Sequence, residues 1–140
     1  MTTVVDSNVI AALWNLDDAL NAAARSALDA ALARGSLVIP APVYAELMAF
    51  AGRTESFLDG FFRETGIAVE WHIEERVWRA AGQASQKYAG RRRRQREPGP
   101  RCILADFLIG AYAATHSYSL LTLDEGVYRA AFPALKIVEA

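Results

Sequence analysis

Short apolar runs recur along this chain, and segments of helical character separate them. The runs are TTVV (2–5), SLVIP (36–40), IAVEW (67–71), SLLTL (119–123) and KIVE (136–139). They lack the clean apolar–polar alternation of half-exposed strands, which is typical of a parallel sheet covered on both faces. Strands alternating with helices predict a three-layer αβα sandwich, an α/β fold whose mostly parallel central sheet has four to five strands. In such sheets the active crevice lies beyond the carboxyl ends of the strands.

The length of 140 residues suits one domain, which we expect to cover 1–140. One segment differs in composition from the rest. Residues 87–101 contain seven Lys or Arg and one Glu, although the whole chain has a net charge of −1. Because glycines and prolines disfavour a helix here, we predict an arginine-rich loop at 90–101 after a helix over 73–89. An acidic chain with one basic segment suggests an acidic site with a basic neighbour.

Simple features disfavour several other classes of protein. The single cysteine, Cys102, excludes an internal disulfide and suits a reducing compartment. His72 and His116 are isolated in sequence, so a zinc site is not expected. The N-terminus lacks the basic segment of a signal peptide, and no apolar run reaches the ~18–20 residues that span a bilayer. We therefore expect a cytoplasmic protein without a membrane partner.

Four carboxylates lie in unusually apolar surroundings. One of them is the single acid of ILADFLIGAYAA, where an unpaired buried carboxylate would cost several kcal/mol. Two of the acids follow predicted strands, and two lie early in predicted helices. In a parallel sheet all four positions converge at the same edge. The four residues are Asp6, Glu46, Asp106 and Asp124.

Converging carboxylates repel one another, and a cation relieves that repulsion. Oxygen-only ligands suit Mg²⁺, or Mn²⁺ in its place, and such a metal activates a water molecule for attack on a phosphodiester. Arginines that precede the helix of Asp106 would offset the repulsion between the acids and the phosphates of a nucleic acid, or contact a partner protein. These are Arg91, Arg92, Arg93, Arg94 and Arg96. The pattern predicts a metal-dependent nuclease.

Each of these residues also has a simpler interpretation. Asp6 and Asp124 suit helix N-caps, Glu46 suits an ion pair with an arginine, and Asp106 suits the first turn of its helix. The arginines alone suit a solvated loop. An alternative function is therefore a non-catalytic α/β domain that binds nucleic acid or protein through the arginine-rich loop, for which Asp106 would be dispensable. Haloacid-dehalogenase phosphatases need a DxD pair of acids, and receiver domains need a lysine that follows one of the last strands of the sheet. Neither feature is found in this sequence, so these classes fit less well.

The segments VVDSNVI, PVYAELM and ILADFLIGAYAATHSYSLLTLD, in that order and spacing, resemble the PIN-domain ribonucleases and, among them, the VapC-type toxins. The resemblance places the family's four acids on those named above, with Ser7 and Thr122 as the supporting hydroxyl residues. It implies an endoribonuclease that uses Mg²⁺ or Mn²⁺, a homodimer, and a small antitoxin whose tail blocks the site. The long arginine-rich segment departs from the family pattern.

Overall fold

A computed structural model of the chain describes residues 1–95 and 104–138. Five strands form one sheet in the order β3-β2-β1-β4-β5, and every neighbouring pair in this order is parallel. The strands are β1 (Thr2–Val5), β2 (Ser36–Pro40), β3 (Ala68–Glu70), β4 (Ser119–Leu121) and β5 (Ile137–Val138). The predicted α/β fold with a parallel sheet is confirmed.

Helices connect the strands within the described part of the chain. They are α1 (Ser7–Trp14), α2 (Asn21–Arg34), α3 (Ala41–Leu47), α4 (Glu55–Thr65), α5 (Glu75–Gln95), α6 (Leu104–Thr115) and α7 (Gly126–Ala131). The chain runs from β1 outward through β2 and β3, and then returns to place β4 on the other side of β1. The strand order reverses between β1 and β4, where ligands bind in open α/β sheets.

Burial on both faces of the sheet explains why the strands do not alternate. Consecutive residues Val4 and Val5 of β1 are fully buried, and so are Leu120 and Leu121 of β4. Helix α6 is apolar for the same reason, because every residue over 107–113 is buried. No helix within residues 1–95 and 104–138 is both long and apolar enough to cross a bilayer.

Two boundaries differ from the sequence prediction. The sequence predicts a helix from about Asp17 to Arg34, but α2 begins at Asn21. The side chain of Asp18 accepts a hydrogen bond from the Leu20 N–H (2.7 Å) and holds a turn there. The predicted loop at 90–101 is wrong for its first part, since α5 continues to Gln95.

Two physical features favour this longer helix. Arginine has a high helix propensity, which offsets part of the cost of Gly90 in the helix interior. The Arg91 guanidinium also donates a hydrogen bond to the Ala130 carbonyl of α7, which fixes this end of α5 against the rest of the fold. The remainder of the predicted loop, together with Arg96 and Cys102, lies outside the described residues.

Candidate active site

Asp6 lies at the carboxyl end of β1, at the point where the strand order reverses. Its backbone N–H donates to the Leu121 carbonyl of β4 (3.0 Å), which extends the pairing of the two strands by one residue. It is also the N-cap of α1, because its Oδ1 accepts the Ser7 N–H (2.8 Å). The side chain is buried, with 5 % of the residue exposed. Burial raises the pKa of Asp6, and its hydrogen bonds lower that pKa in part.

Thr122 connects the end of β4 to Asp6. Its buried hydroxyl donates to Asp6 Oδ2 (2.9 Å) and accepts from the Asn8 side-chain amide (3.2 Å) and the Asp124 N–H (3.1 Å). Asn8 completes the link, because its Oδ1 accepts the Leu123 N–H (3.1 Å). One hydroxyl therefore fixes both the first acid and the loop that carries the last acid.

Tyr128 of α7 is the second hydroxyl group on Asp6. Its OH lies 2.9 Å from Asp6 Oδ2 and 3.5 Å from Asp106 Oδ1, and only 2 % of the residue is exposed. Burial, followed by the charges of Asp6 and Asp106, raises the pKa of Tyr128, so the phenol stays protonated and acts as a donor. Asp6 and Asp106 therefore both lie within contact of the Tyr128 hydroxyl.

Asp106 and Asp124 face Asp6 across a small cavity, the acidic cavity. It has a volume of about 80 Å³, and Asp6, Asp106, Asp124 and Tyr128 are among the residues that line it. Asp106 lies in the first turn of α6, and burial together with the charges of Asp6 and Asp124 raises its pKa. Asp124 lies in the loop between β4 and α7, and because α7 has Glu125 as its N-cap residue, the N-cap interpretation of Asp124 is wrong.

Glu46 reaches the same group of acids from α3. Its Oε1 accepts a hydrogen bond from the Ser7 hydroxyl (3.3 Å). Burial, followed by the charges of Asp6 and Asp106, raises its pKa to about 7. In the described part of the chain no lysine or arginine forms an ion pair with Glu46, so the ion-pair interpretation finds no support there. The structure thus brings the four predicted acids, Ser7 and Thr122 into one region.

The donor set fits a hard divalent cation. The carboxylates supply only oxygen atoms, and those of Glu46 and Asp106 have raised pKa values that a cation would lower. Among residues 1–95 and 104–138, no three acid, histidine or cysteine side chains form a group that could hold a metal ion by themselves. Mg²⁺ does not require such a group, because it keeps several of its water ligands and binds one or two carboxylates directly.

The predicted arginines differ in their contacts and in whether the structure describes them. Arg91 donates to the Ala130 carbonyl, and the half-buried Arg92 lies over the Tyr88 ring, 6.0 Å from its centre. The Arg91 contact therefore joins α5 to α7, whereas the contact between Arg92 and Tyr88 lies within α5. Arg93 is exposed on α5. The side chains of Arg94 and Arg96 lie outside the described part of the structure.

A larger groove opens from the acidic side of the molecule. This aromatic groove has a volume of about 640 Å³ and shares Ser7, Asn8 and Asp124 with the acidic cavity. Away from the acids its lining includes Trp14, Phe50 and Arg53. The Phe50 residue is 47 % exposed. The Arg53 guanidinium lies 4.6 Å from the centre of the Trp14 ring and is thereby held at the wall of the groove.

Sequence reasoning did not assign a role to Asn8 or Tyr128. Asn8 is two positions after the first acid, and Tyr128 is four positions after the last acid, one turn into a helix. A polar residue close to each strand-end acid was the available signal. It is weak, because Asn is common near helix starts and a tyrosine in an apolar helix is usually part of the core.

Comparisons with known proteins agree with this fold. The family model described as PIN domain matches residues 3–133. Among solved structures, VapBC2 from Rickettsia felis, bound to a DNA fragment from their promoter, has a TM-score of 0.73 and 16 % identity over 100 % of this chain and 99 % of that chain. FitAcB from Neisseria gonorrhoeae has a TM-score of 0.65 and 22 % identity over 96 % and 95 % of the two chains.

VapBC-1 from nontypeable Haemophilus influenzae has a TM-score of 0.68 and 19 % identity, with 99 % of this chain and 98 % of that chain covered. A comparison with curated protein sequences gave no match. At these identities the solved structures establish a shared fold, and the family model establishes the family.

Proposed function

This chain belongs to the PIN domain family, and we propose that it is a Mg²⁺- or Mn²⁺-dependent endoribonuclease and the toxin of a toxin–antitoxin pair. The observation that carries the proposal is the acidic cavity, where Asp6, Asp106 and Asp124 meet at the carboxyl edge of the sheet. Three carboxylates around one small cavity are costly unless a cation joins them. Their location at the topological switch point is where an α/β fold places its chemistry.

The metal would be held by Asp6, Asp106, Asp124 and, directly or through water, Glu46. When bound, it would supply an activated water and offset the charge on the phosphoryl oxygens. Ser7 and Thr122 orient the acids: the Ser7 hydroxyl donates to Glu46 Oε1, and the Thr122 hydroxyl donates to Asp6 Oδ2.

Glu46 is our candidate for the general base. In the metal-free chain the pKa of Glu46 is raised to about 7, and a bound cation would lower it, so the carboxylate would be ionised and able to accept a proton at neutral pH. Since Ser7 occupies Oε1, we assign the role of accepting the proton of the attacking water to Oε2. The water oxygen forms the new bond to phosphorus while the bond to the leaving ribose oxygen breaks, and that oxygen then takes up a proton.

The substrate we propose is RNA, and exposed arginines at the end of α5 would contact its phosphates. Among the described side chains our candidate is the exposed Arg93, because Arg91 donates to the Ala130 carbonyl and Arg92 lies over the Tyr88 ring. Arg94 and Arg96 remain candidates from sequence alone. The homodimer and the cytoplasmic location also stay predictions, the first from the family resemblance and the second from the single cysteine.

The partner we propose is a small antitoxin whose tail covers the site. The similar solved structures include a toxin–antitoxin complex from Klebsiella pneumoniae, with a TM-score of 0.68 and 18 % identity. The lining of the aromatic groove offers such a tail the exposed Phe50 ring and the Asp124 carboxylate. An apolar side chain on Phe50 and a cationic one beside Asp124 would suit it, and this occupant would exclude RNA from the acidic cavity.

A cleavage assay tests the proposed activity. Purified protein is incubated with a pool of tRNA and ribosomal RNA in Mg²⁺, Mn²⁺ or EDTA, beside the variants Asp106→Asn and Asp29→Asn. The exposed Asp29 lies on α2, away from the acids, and serves as the matched control. We expect cutting that needs the metal, falls at least about 100-fold in Asp106→Asn, and persists in Asp29→Asn.

Two results would contradict the proposal. One is cleavage that survives EDTA or the Asp106→Asn substitution. The other is an absence of cleavage in a preparation that intact-mass analysis shows to contain no second protein. If Asp106→Asn then binds RNA as well as the wild type does, the non-catalytic binding domain becomes the better interpretation.

A further inference from the structure

Tyr128 is a buried polar group whose position the general nuclease chemistry does not explain. A phenylalanine would fill the same space in the core. Instead the chain places a hydroxyl 2.9 Å from Asp6 Oδ2 and 3.5 Å from Asp106 Oδ1. A phenol has one proton to donate. The Tyr128 hydroxyl therefore donates its hydrogen bond to Asp6, at the shorter distance, and Asp106 lies farther from the same hydroxyl oxygen.

The two carboxylate oxygens of Asp6 are therefore not equivalent. Oδ2 accepts two hydroxyl groups, those of Thr122 and Tyr128, each at 2.9 Å. Oδ1 accepts the Ser7 N–H at 2.8 Å, and the Ser7 hydroxyl is farther away at 3.5 Å. Two short O–H bonds leave Oδ2 with little capacity for a cation, whereas Oδ1 keeps a lone pair.

The tyrosine is itself held firmly by its surroundings. The Gly110 position in α6 lies directly against the Phe132 ring, so close that a Cβ there would be 2.4 Å from that ring. Phe132 in turn donates its N–H to the Tyr128 carbonyl (2.8 Å). The Arg91 bond to Ala130 fixes the same helix from the α5 side. Helix α7 is thus anchored on two sides, and the hydroxyl cannot easily leave the acids.

We propose that Tyr128 is a positioning residue that selects the cation: by occupying Asp6 Oδ2 it makes Asp6 a one-oxygen ligand and favours Mg²⁺ and Mn²⁺ over Ca²⁺. The inference rests on the proposed function. Mg²⁺ accepts single carboxylate oxygens in a tight octahedral shell, whereas Ca²⁺ takes a larger shell in which carboxylates often bind through both oxygens. If Oδ2 were free, Asp6 could bind a cation through both carboxylate oxygens, as Ca²⁺ favours.

The test is cation binding by the intact protein, measured by isothermal titration calorimetry with Mg²⁺, Mn²⁺ and Ca²⁺ separately. Tyr128→Phe removes only the hydroxyl and keeps the buried ring. Tyr118→Phe makes the same chemical change at a partly buried tyrosine that packs against Tyr112 and His116, and is the matched control. We expect the ratio of Ca²⁺ to Mg²⁺ affinity to rise about tenfold in Tyr128→Phe and to stay unchanged in Tyr118→Phe.

A purely structural role would weaken all three cations together and leave that ratio unchanged, which would overturn the inference. Equal Mg²⁺ and Ca²⁺ affinities in the wild type would overturn it without any variant, so the proposal does not depend on the folding of Tyr128→Phe. A wild type that binds none of the three cations would instead contradict the proposed metal-dependent nuclease. The two failures are therefore distinguishable.

Discussion

Replacing Glu46 by glutamine should make the metal-free protein more stable at alkaline pH. Glu46 is partly buried in α3 and lies near two other acids, and these surroundings raise its pKa from 4.5 to about 7. A glutamine has nearly the same shape and mimics the protonated carboxyl, so it keeps an amide near the Ser7 hydroxyl while it removes the charge. The variant therefore isolates the cost of ionising this residue inside the acidic group.

The sign of the effect follows from proton linkage. A carboxyl with a raised pKa in the folded state binds its proton more tightly there than in the unfolded chain. Its favourable contribution is complete below about pH 4.5 and is lost as the pH rises through about 7. Taken at face value the shift corresponds to ~3 kcal/mol. Partial exposure of Glu46 to solvent screens the neighbouring charges, so we expect about 1–2 kcal/mol.

The measurement is urea denaturation in EDTA at about pH 5 and about pH 8, followed by circular dichroism. Wild type and Glu46→Gln should have nearly equal free energies of unfolding at the lower pH. At the higher pH the variant should be more stable by about 1–2 kcal/mol. Glu64→Gln is the control, because Glu64 is exposed on α4, and its pH dependence should follow the wild type.

Mg²⁺ provides the second arm of the same experiment. At about pH 8 it should stabilise the wild type, since a bound cation relieves the repulsion among the acids, and it should stabilise Glu46→Gln less. The reasoning is refuted if wild type and Glu46→Gln show the same change in stability between the two pH values. It is also refuted if Glu46→Gln is the less stable protein at the higher pH in EDTA.

Two further outcomes follow from the contacts of Thr122 and of the arginines. Thr122→Val removes a buried hydroxyl that forms hydrogen bonds with Asp6, Asn8 and the Asp124 N–H, so the free energy of unfolding of this variant should be about 2–3 kcal/mol lower than that of the wild type. Thr122→Ser keeps the hydroxyl and should stay within about 1 kcal/mol of the wild type. Equal stability of the two variants in urea denaturation would contradict this role. Arg93→Ala should lower the slope of log affinity against log salt by about 0.7 for RNA binding in EDTA. An unchanged slope would exclude Arg93 as a phosphate contact.

The fold was predictable because its strongest signals are local. Strands buried on both faces must be apolar at consecutive positions, and β1 and β4 meet that condition within a few residues. The errors arose where a side chain or a distant contact decided the backbone. A turn held by Asp18 delays α2, and the bond from Arg91 to Ala130 supports a helix through a segment that contains Gly90.

The grouping of the acids at the candidate site was predictable for a different reason. An isolated carboxylate in an apolar segment is unusual because burying it is costly, and Asp6 and Asp106 both stand out in this way. Tyr128 and Asn8 do not stand out, since an apolar helix or a helix start accommodates them at no cost. Their roles exist only after β1, β4 and α7 have come together.

The pairing of β1 with β4 is the step that links fold and site. The register aligns Thr3 with Ser119 and Val5 with Leu121, and one further step sets Asp6 opposite Thr122. Successive side chains of a strand point to opposite faces, so a slip of one residue would turn the Thr122 hydroxyl away from Asp6. The same slip would move the fully buried Leu120 and Leu121 to the opposite faces of the sheet, where each would have to pack against different core residues. The apolar core therefore fixes the register, and the register fixes the distance between the first acid and its hydroxyl partner.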